Sequence, residues 1–279
     1  MTDILPYAAP ALPPARRRLR ILTWNINSVR LRLPLVLELA KLAAPDVICL
    51  QETKTPDETF PGAPIAAAGY AHQAFHGDKG YNGVAILSRK PVVRHERRFW
   101  AGKEDSRHVV VEVAGIELHN LYVPAGGDIA DPQANPKFAH KLRFLEELGG
   151  TTILPKATGA RVLVGDLNVA PYENDVWSHK QLLDVVSHTP VETDLLKAAI
   201  ASHGWIDAVR TLHPEPQRIY TWWSYRNRDW RASDRGRRLD HIWVSPALAD
   251  KVKAVYVLKD CRDWKQTSDH VPVVVDIAR

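Results

Sequence analysis

Short runs of strand-like sequence recur along almost the whole chain, and few helical stretches separate them. Residues 20–24 alternate as a strand does, and leucines at i, i+4, i+8 and i+11 give residues 31–42 one apolar helix face. Many strands with few, dispersed helices predict an α/β class fold: a four-layer α/β sandwich in which two packed, mostly antiparallel β-sheets are flanked by helices. The predicted strands are residues 20–24, 46–50, 83–88, 108–113, 117–123, 162–165, 242–245, 252–258 and 271–277, and further helices are predicted at 136–148 and 193–202.

The first residues of the chain differ in composition from the rest. Residues 1–19 hold four prolines among alanines and end on a run of arginines, without the apolar stretch of a signal peptide. We therefore predict a flexible Pro/Ala-rich basic tail over residues 1–19. No linker-like or repeated segment interrupts residues 20–279, which we predict to be a single catalytic domain.

Composition excludes several classes of protein. A hydrophobic content of 45% with 25% charged residues is incompatible with a disordered or collagen-like chain. The longest uncharged run, residues 60–77, is broken by prolines and glycines, so no membrane association is expected. Two cysteines in apolar surroundings indicate a reducing compartment, and we expect a cytoplasmic monomer, associated with the nucleoid if the source is bacterial. The net charge of +5 permits a polyanionic partner.

Polar side chains cluster where six of the predicted strands begin or end. Each residue alone has an ordinary interpretation as a helix cap, a turn former, a structural pair or a core tyrosine. Their recurrence favours a common site, because strand ends in one sheet converge and the loops there carry functional residues. Oxygen-rich ligands suit Mg²⁺ or Mn²⁺, whereas zinc would require more histidine and cysteine. The residues are Asn25, Asn27, Glu52, Tyr122, Asp166, Asn168, Asp240, Asp269 and His270.

Seven segments resemble, in order, the motifs of exonuclease III-type apurinic/apyrimidinic endonucleases of the endonuclease/exonuclease/phosphatase superfamily. The resemblance extends over residues 20–279. Each motif alone is weak, but LQETK, GDLNV and SDH in this order are specific. The segments are WNINSVR (24–30), LQETK (50–54), GVAILS (83–88), NLYVP (120–124), GDLNV (165–169), RLDH (238–241) and SDH (268–270).

The resemblance implies a role for each residue of the site. Asp166 would activate the attacking water or protonate the leaving oxygen, and Asn168 would orient the phosphate or the water. His270 would contact a phosphate oxygen, with Asp240 fixing its tautomer, and Tyr122 would hydrogen-bond the phosphate or supply a proton. The implied metal ligands are Asn25, Asn27, Glu52, Asp166, Asn168 and Asp269, and the implied catalytic residues are Tyr122, Asp166, Asn168, Asp240 and His270.

The chemistry of these side chains agrees with phosphodiester hydrolysis. Negative charge develops on the phosphate oxygens and on the departing oxygen, and a metal with an imidazolium neutralises it. A nearby carboxylate can accept the proton of the water. An aspartate beside a histidine raises the pKa of the imidazole and orients the ring.

Residues 218–238 indicate which phosphodiester is cleaved. Seven arginines against two aspartates give this segment a charge of +5, and five tyrosines and tryptophans lie among them. Arginine binds phosphates and aromatic faces receive an extruded sugar or base; the alternative is a solvated basic loop with core tryptophans. The resemblance implies a pocket for a flipped-out abasic sugar, with Lys54 and Asn82 near the DNA backbone and Trp222, Trp223, Arg237 and Leu239 at the pocket.

The sequence thus predicts a Mg²⁺-dependent DNA repair nuclease, with Mn²⁺ as a possible substitute, acting on double-stranded DNA with abasic sites or blocked 3′ ends. It would cut 5′ to the abasic site, and would also act as a 3′→5′ exonuclease and a 3′-end-cleaning phosphatase or phosphodiesterase. Two departures bear on the balance of these activities: Ala125, where many relatives carry Asn or Gln, and Arg237, which is aromatic in some relatives. The alternatives are a superfamily phosphatase or phosphodiesterase acting on a small or lipid phosphate, and a non-catalytic DNA-binding relative.

Overall fold

The strands form two six-stranded mixed sheets. The computed structural model describes residues 12–15, 17–154, 156, 159–227 and 229–279. The first sheet has the strand order β11-β12-β1-β2-β4-β3, and the second has the order β5-β6-β7-β8-β10-β9. The strands are β1 (Arg18–Asn25), β2 (Val47–Gln51), β3 (His72–Asp78), β4 (Tyr81–Ser88), β5 (Val92–Arg97), β6 (His108–Val113), β7 (Ile116–Tyr122), β8 (Arg161–Asp166), β9 (Ile206–Asp207), β10 (Asp240–Val244), β11 (Val252–Val257) and β12 (Val273–Ala278).

Each sheet contains one parallel pair among otherwise antiparallel neighbours of the described strands. β1 pairs with β2, and β7 with β8, in parallel. The predicted sandwich of two mostly antiparallel sheets flanked by helices is confirmed. The helices are α1 (Val29–Leu42), α2 (Gly62–Ala67), α3 (Pro136–Gly149), α4 (His179–Leu182), α5 (Pro190–His203), α6 (Ala208–Leu212) and α7 (Trp230–Ser233), with 3₁₀ turns at Asp57–Thr59, Glu173–Asp175, Pro246–Lys251 and Lys259–Asp263.

The core has three layers because successive side chains of a strand point to opposite faces. Valines and isoleucines from both sheets, such as Ile21 and Val162, fill the space between the sheets. The next residues along, such as Leu22, pack outward against α1. On the far side Leu163 packs outward against α3 and α5. Both sheets are therefore buried on both faces, which leaves their ends as the accessible part.

The predicted strands correspond to nine of the observed ones, with ends that shift by one or two residues. β3, β5 and β9 were not predicted. β3 and β5 lie at sheet edges, where polar side chains are tolerated and the apolar pattern is weak. β1 begins at Arg18, before the predicted start of the domain, and the carbonyl of Pro13 accepts a hydrogen bond from Arg20 Nη2 at 2.8 Å. Residues 1–11 and 16 of the predicted tail lie outside the described residues.

A buried ion-pair network fixes the approach to β10. Arg238 is fully buried and donates from Nε and Nη2 to Asp175 at 2.7 and 2.8 Å. Its Nη1 donates to Asp207 Oδ2 at 2.8 Å, and Arg210 is a second partner of Asp175. Arg238 is therefore a structural residue within the arginine-rich segment, because carboxylates of the fold neutralise its charge.

The variant Arg238→Met is expected to lower the free energy of unfolding by about 3–5 kcal/mol, because buried carboxylates lose their partner. Urea unfolding would measure the loss. Arg231→Met is the matched control: this arginine is 49% exposed beside Asp260 and Asp263, so a loss below about 1 kcal/mol is expected. Equal losses in the two variants would contradict the structural role of the buried network.

Candidate active site

The predicted site residues come together at one end of the sandwich, but not within one sheet. Asn25 ends β1 and Glu52 follows β2 in the first sheet, whereas Asp166 ends β8 in the second. Asn25 Nδ2 nevertheless donates to both Glu52 Oε1 at 2.9 Å and Asp166 Oδ2 at 2.8 Å. The expectation of a single converging sheet is therefore corrected: the site spans the seam between the two sheets.

Glu52 is held by donors from both sheets. Its Oε1 also accepts from the Tyr122 hydroxyl at 2.8 Å, and its Oε2 lies 2.8 Å from Lys54 Nζ. Burial acts to raise the pKa of Glu52, but the Lys54 charge and the Asn25 hydrogen bond outweigh it, and the pKa is lowered. Burial raises the pKa of Tyr122 well above its ordinary value, and the nearby carboxylates add to this effect. The pair is therefore an ionised carboxylate and a neutral phenol.

Two oxygens of this group converge on one cation. The Lys54 ammonium lies between Glu52 Oε2 and Asn27 Oδ1, the latter at 2.6 Å. Asn27 Nδ2 donates to Asp269 Oδ1 at 3.3 Å, so a further carboxylate is adjacent. The donor set is oxygen only, which fits a hard divalent cation such as Mg²⁺. The Lys54 ammonium occupies this cation seat, and its side chain is 31% exposed to solvent.

A second cluster combines two carboxylates with a histidine. Asp166 and Asp240 are register partners on β8 and β10, and ligand atoms of Asp166, Asp240 and His270 lie within 4.8 Å of one another. His270 Nδ1 is 2.8 Å from Asp240 Oδ2, and its Nε2 is 3.7 Å from Asp166 Oδ2. The histidine is thus bound to a carboxylate of its own cluster, and the carboxylate oxygens of Asp166 and Asp240 are of the type that a hard cation binds.

The electrostatics of this cluster suit acid–base chemistry. Burial raises the pKa of Asp166 to about 7, with the Asp240 charge adding to the shift and His270 opposing it. For His270, burial acts to lower the pKa, but Asp240 and Asp166 outweigh it and raise the pKa to about 10. A carboxylate with a pKa near neutrality can accept a proton, and an imidazolium beside it can stabilise negative charge.

An open cleft of about 990 Å³ adjoins both clusters. Trp222 lines it, and its Nε1 donates to Asp269 Oδ2 at 2.9 Å. Leu239 and Arg237 line it as well, as predicted for a substrate pocket. Trp223 does not: it is fully buried against Tyr220 and Trp230, and its Nε1 donates to Asp234. The placement of Trp223 in the pocket is corrected, since it belongs to the core beneath.

Comparison with known proteins identifies the relatives of this arrangement. The model of the Endonuclease/Exonuclease/phosphatase family matches residues 22–270. The chain belongs to this family. It is 30% identical to exodeoxyribonuclease III of Haemophilus influenzae over 91% of this chain and 98% of that protein. An AP endonuclease from Archaeoglobus fulgidus has the same fold with a TM-score of 0.85 and 34% identity, covering 94% of this chain and all of that one.

A third relative is the 3′ phosphatase NExo from Neisseria, which was solved as an aspartate-to-asparagine variant bound to a product DNA hairpin. It superposes with a TM-score of 0.83 and 31% identity, covering 93% of this chain and 99% of that one. The resemblance to exonuclease III-type enzymes is confirmed, and the chain is a nuclease. In the part of the chain that the structure describes, no helix is both long and apolar enough to cross a membrane.

The site of this nuclease is built on unusual backbone conformations. Asn27, Glu52, Lys54 and Asn168 all have φ between 46° and 53°, in the left-handed region that costs a non-glycine residue of order 1 kcal/mol or more. Asn82 lies in the same left-handed region with φ of 45°, and its carbonyl accepts from Lys54 N at 2.9 Å. The side chain of Asn82 is buried toward Asp105, so it braces the Glu52–Lys54 loop from behind.

One buried residue that sequence reasoning missed supports the catalytic loop. Lys141 on α3 is fully buried, and its Nζ donates to the carbonyl of Asn168 at 2.7 Å and to that of Ala125 at 3.3 Å. Glu192 neutralises it at 2.5 Å. The sequence contains an indication of this role. Lys141 lies between Phe138 and Leu145 on the apolar face of the helix, where a lysine is unusual unless it has a buried partner.

Asn120 joins the two sheets directly behind the site. Its Nδ2 donates to the carbonyls of Leu50 and Ala85, and its Oδ1 accepts from Gln51 Nε2 at 2.7 Å. Leu50 and Gln51 lead into Glu52, and Asn120 leads into Tyr122. This contact therefore sets the distance between Glu52 and Tyr122. NLYVP and LQETK are therefore spatial neighbours, a fact that neither motif alone reveals.

Proposed function

We propose that this nuclease is a DNA repair enzyme that hydrolyses the phosphodiester on the 5′ side of abasic sites in duplex DNA. The proposal includes 3′→5′ exonuclease activity and removal of blocking groups from 3′ ends, with Mg²⁺ as cofactor and Mn²⁺ as a substitute. We further propose that residues 20–279 act as one catalytic domain in a monomer. The observation that carries the proposal is the opening of the Glu52–Asn27 cation seat and the Asp166–Asp240–His270 cluster onto one cleft lined by arginine and tryptophan.

The cleft supports DNA as the polyanion. Arg226, Arg235 and Arg237 line it, and none of the three has a carboxylate within 4 Å among the described residues. Unpaired arginines beside tryptophan attract and hold phosphates, and an aromatic wall can pack against a sugar. The names of the relatives, an exodeoxyribonuclease, an AP endonuclease and a 3′ phosphatase, support the same substrate.

In the proposed mechanism the residues of the chain divide the work. Glu52, with Asn27 and Asp269 adjacent, would hold a divalent cation, which would supply Lewis-acid stabilisation of the phosphate charge. Asp166 accepts a proton from the attacking water as the water oxygen bonds to phosphorus and the bond to the 3′-oxygen breaks. The departing 3′-oxygen takes up a proton from solvent in the open cleft. Asn168 lies over the cleft to orient the phosphate or the water.

In this mechanism His270 stabilises negative charge and Tyr122 donates a hydrogen bond. The imidazolium of His270 stabilises negative charge on a non-bridging oxygen, and Asp240 keeps it charged and oriented. Tyr122 acts as a neutral hydrogen-bond donor, because its pKa is raised well above the ordinary value. Asn25 serves as a positioning residue: its Nδ2 joins the two carboxylates, and its Oδ1 accepts from Asn27 N.

The experiment uses three labelled duplexes: one with a central abasic analogue, a matched intact duplex, and one with a recessed 3′ end. Each is incubated with the full chain plus Mg²⁺, plus Mn²⁺, and plus EDTA. Incision at the analogue with either metal, and none with EDTA, is the expected result. No cleavage of any duplex, together with release of phosphate from small or lipid phosphates, would overturn the proposal. Tight binding without cleavage would indicate a non-catalytic relative.

A further inference from the structure

The two tryptophans that wall the cleft are covered by guanidinium groups. Arg235 Cζ lies 4.7 Å from the ring centroid of Trp177, and Arg237 Cζ lies 5.3 Å from that of Trp222. Both distances are within the range of cation–π contacts. A guanidinium therefore lies against one face of each of the two tryptophans that line the cleft.

Arg237 is fixed in place by neutral acceptors alone. Its Nη1 donates to the carbonyl of Val186 at 3.0 Å and to Ser187 Oγ at 2.7 Å. The nearest charge that acts on it favourably is that of Glu192, which is already paired with Lys141. Burial lowers the pKa of the guanidinium, so its positive charge is maintained at a cost. A guanidinium has five N–H donors, and Nε and Nη2 have no acceptor among the described residues.

This lack of a counter-charge is not general in the segment. Arg238 is neutralised by Asp175 and Asp207, and Arg231 by Asp260 and Asp263. These two arginines are paired with carboxylates, whereas Arg237 is held by neutral acceptors and has no carboxylate partner among the described residues. Such a charge is complementary to an anion that enters from solvent.

Arg237 is also next to the reacting phosphate site. Trp222 forms backbone bridges with both Arg237 and His270, so the two cations lie on either side of one residue. Both residues also line the same cleft, so a phosphate at His270 can extend its next substituent toward Arg237. At an internal abasic site that substituent is a neutral sugar. At a 3′-phosphate it is one more charged oxygen, since a phosphate monoester carries nearly two charges at neutral pH. At a 3′-phosphoglycolate it ends in a carboxylate.

Building on the proposed function, we propose that Arg237 is a specificity-determining residue that favours 3′ termini whose blocking group ends in an anion over internal abasic sites. The recognised chemistry is a terminal phosphate oxygen or carboxylate, which the fork of the guanidinium binds through two parallel hydrogen bonds. Ser187 and Val186 hold the fork in place, and Trp222 supports it from beneath.

The test compares kcat/KM on three duplexes, with a 3′-phosphate, a 3′-phosphoglycolate and an internal abasic analogue, in the presence of Mg²⁺. Arg237→Gln is expected to lower kcat/KM on both anionic termini about ten-fold or more relative to kcat/KM for abasic incision, the size of effect of one charge-assisted hydrogen bond. Arg237→Lys should recover part of the loss. Arg231→Gln, whose carboxylate partners lie outside the cleft, is the control and should leave the ratios unchanged.

The three substrates also show which anionic group contacts Arg237. They further distinguish a failure of the proposed role of Arg237 from a failure of the proposed function. A larger loss on the phosphoglycolate assigns the stronger contact to the carboxylate, and a larger loss on the 3′-phosphate assigns it to the terminal phosphate oxygen. Equal losses on all three duplexes, or no loss, would overturn the role of Arg237 while leaving the proposed function intact. Absence of cleavage of every duplex by the unmodified protein would overturn both. Abasic incision by each variant reports that the variant is folded.

Discussion

Asp166→Asn is expected to lower the turnover number on duplex DNA by at least ~10²-fold while leaving DNA affinity largely unchanged. The Asp166 carboxylate is buried, and burial raises its pKa to about 7, which suits it to accept a proton from water. An asparagine preserves the oxygen that accepts from Asn168 N at 2.9 Å but cannot take up a proton. Its amide would also face the donor groups of Asn25 and Asn168, which now point at Asp166 Oδ2.

Single-turnover cleavage at saturating protein would measure the chemical step, and fluorescence anisotropy without cleavage would measure binding. Asp194→Asn is the matched control, because it makes the same change at a carboxylate on α5, outside the cleft. Near-normal turnover of purified Asp166→Asn would remove this residue from the chemistry. Loss of both turnover and affinity would instead show that the residue maintains the shape of the site.

Much of the site could be predicted because strand ends are visible in the sequence. Apolar runs fix where β2, β8 and β10 lie, and Glu52, Asp166 and Asp240 stand at the ends of these runs. A polar residue at the end of a buried strand must be accessible or paired, so a series of them predicts a shared site. The resemblance added the roles, which residue patterns alone do not give.

What could not be predicted is which strands meet. Local apolar patterns carry no information about pairing partners, and the site depends on contacts between residues far apart, such as Asn25 with Asp166 and Tyr122 with Glu52. For this reason the expectation that the site residues converge at the strand ends of a single sheet was wrong, although the two sheets themselves were predicted. The edge strands β3 and β5 were missed for a different reason. An edge strand tolerates polar side chains, so these two sequences lack the apolar alternation that indicates a strand.

In the arginine-rich segment, residues 218–238, the local sequence likewise does not determine which side chains are buried. Arg237 and Arg238 are adjacent and chemically identical, yet one lines the cleft and the other is buried in an ion-pair network. The difference is set by Asp175 and Asp207, which lie 63 and 31 residues away in the chain. Trp222 and Trp223 divide in the same way, because neighbours in an extended segment point to opposite sides.

His270→Gln and His270→Ala are each expected to lower turnover by at least ~10²-fold, because the site loses the imidazolium that stabilises charge on the phosphate. The raised pKa of His270, about 10, makes the ring cationic at neutral pH. Asp240 contributes to this raised pKa, and its contribution can be removed by substitution. Its Oδ2 lies 2.8 Å from His270 Nδ1, and its Oδ1 has no hydrogen-bond partner among the described residues. Asp240→Asn should therefore lower turnover as well, by ~10-fold or more, while preserving the shape of the site.

The relative losses of turnover in these variants test whether His270 acts through its charge or through its packing. Glutamine can still hydrogen-bond Asp240 without a charge, so equal losses in His270→Gln and His270→Ala would assign the effect to charge, and a much smaller loss in His270→Gln would assign it to packing. His72→Gln, an exposed histidine on β3, is the control. If Asp240→Asn lost nothing, the imidazolium would not depend on Asp240, and Asp166 would have to supply its stabilisation. In that case Asp166→Asn should lower the pKa of His270 in a histidine NMR titration more than Asp240→Asn does.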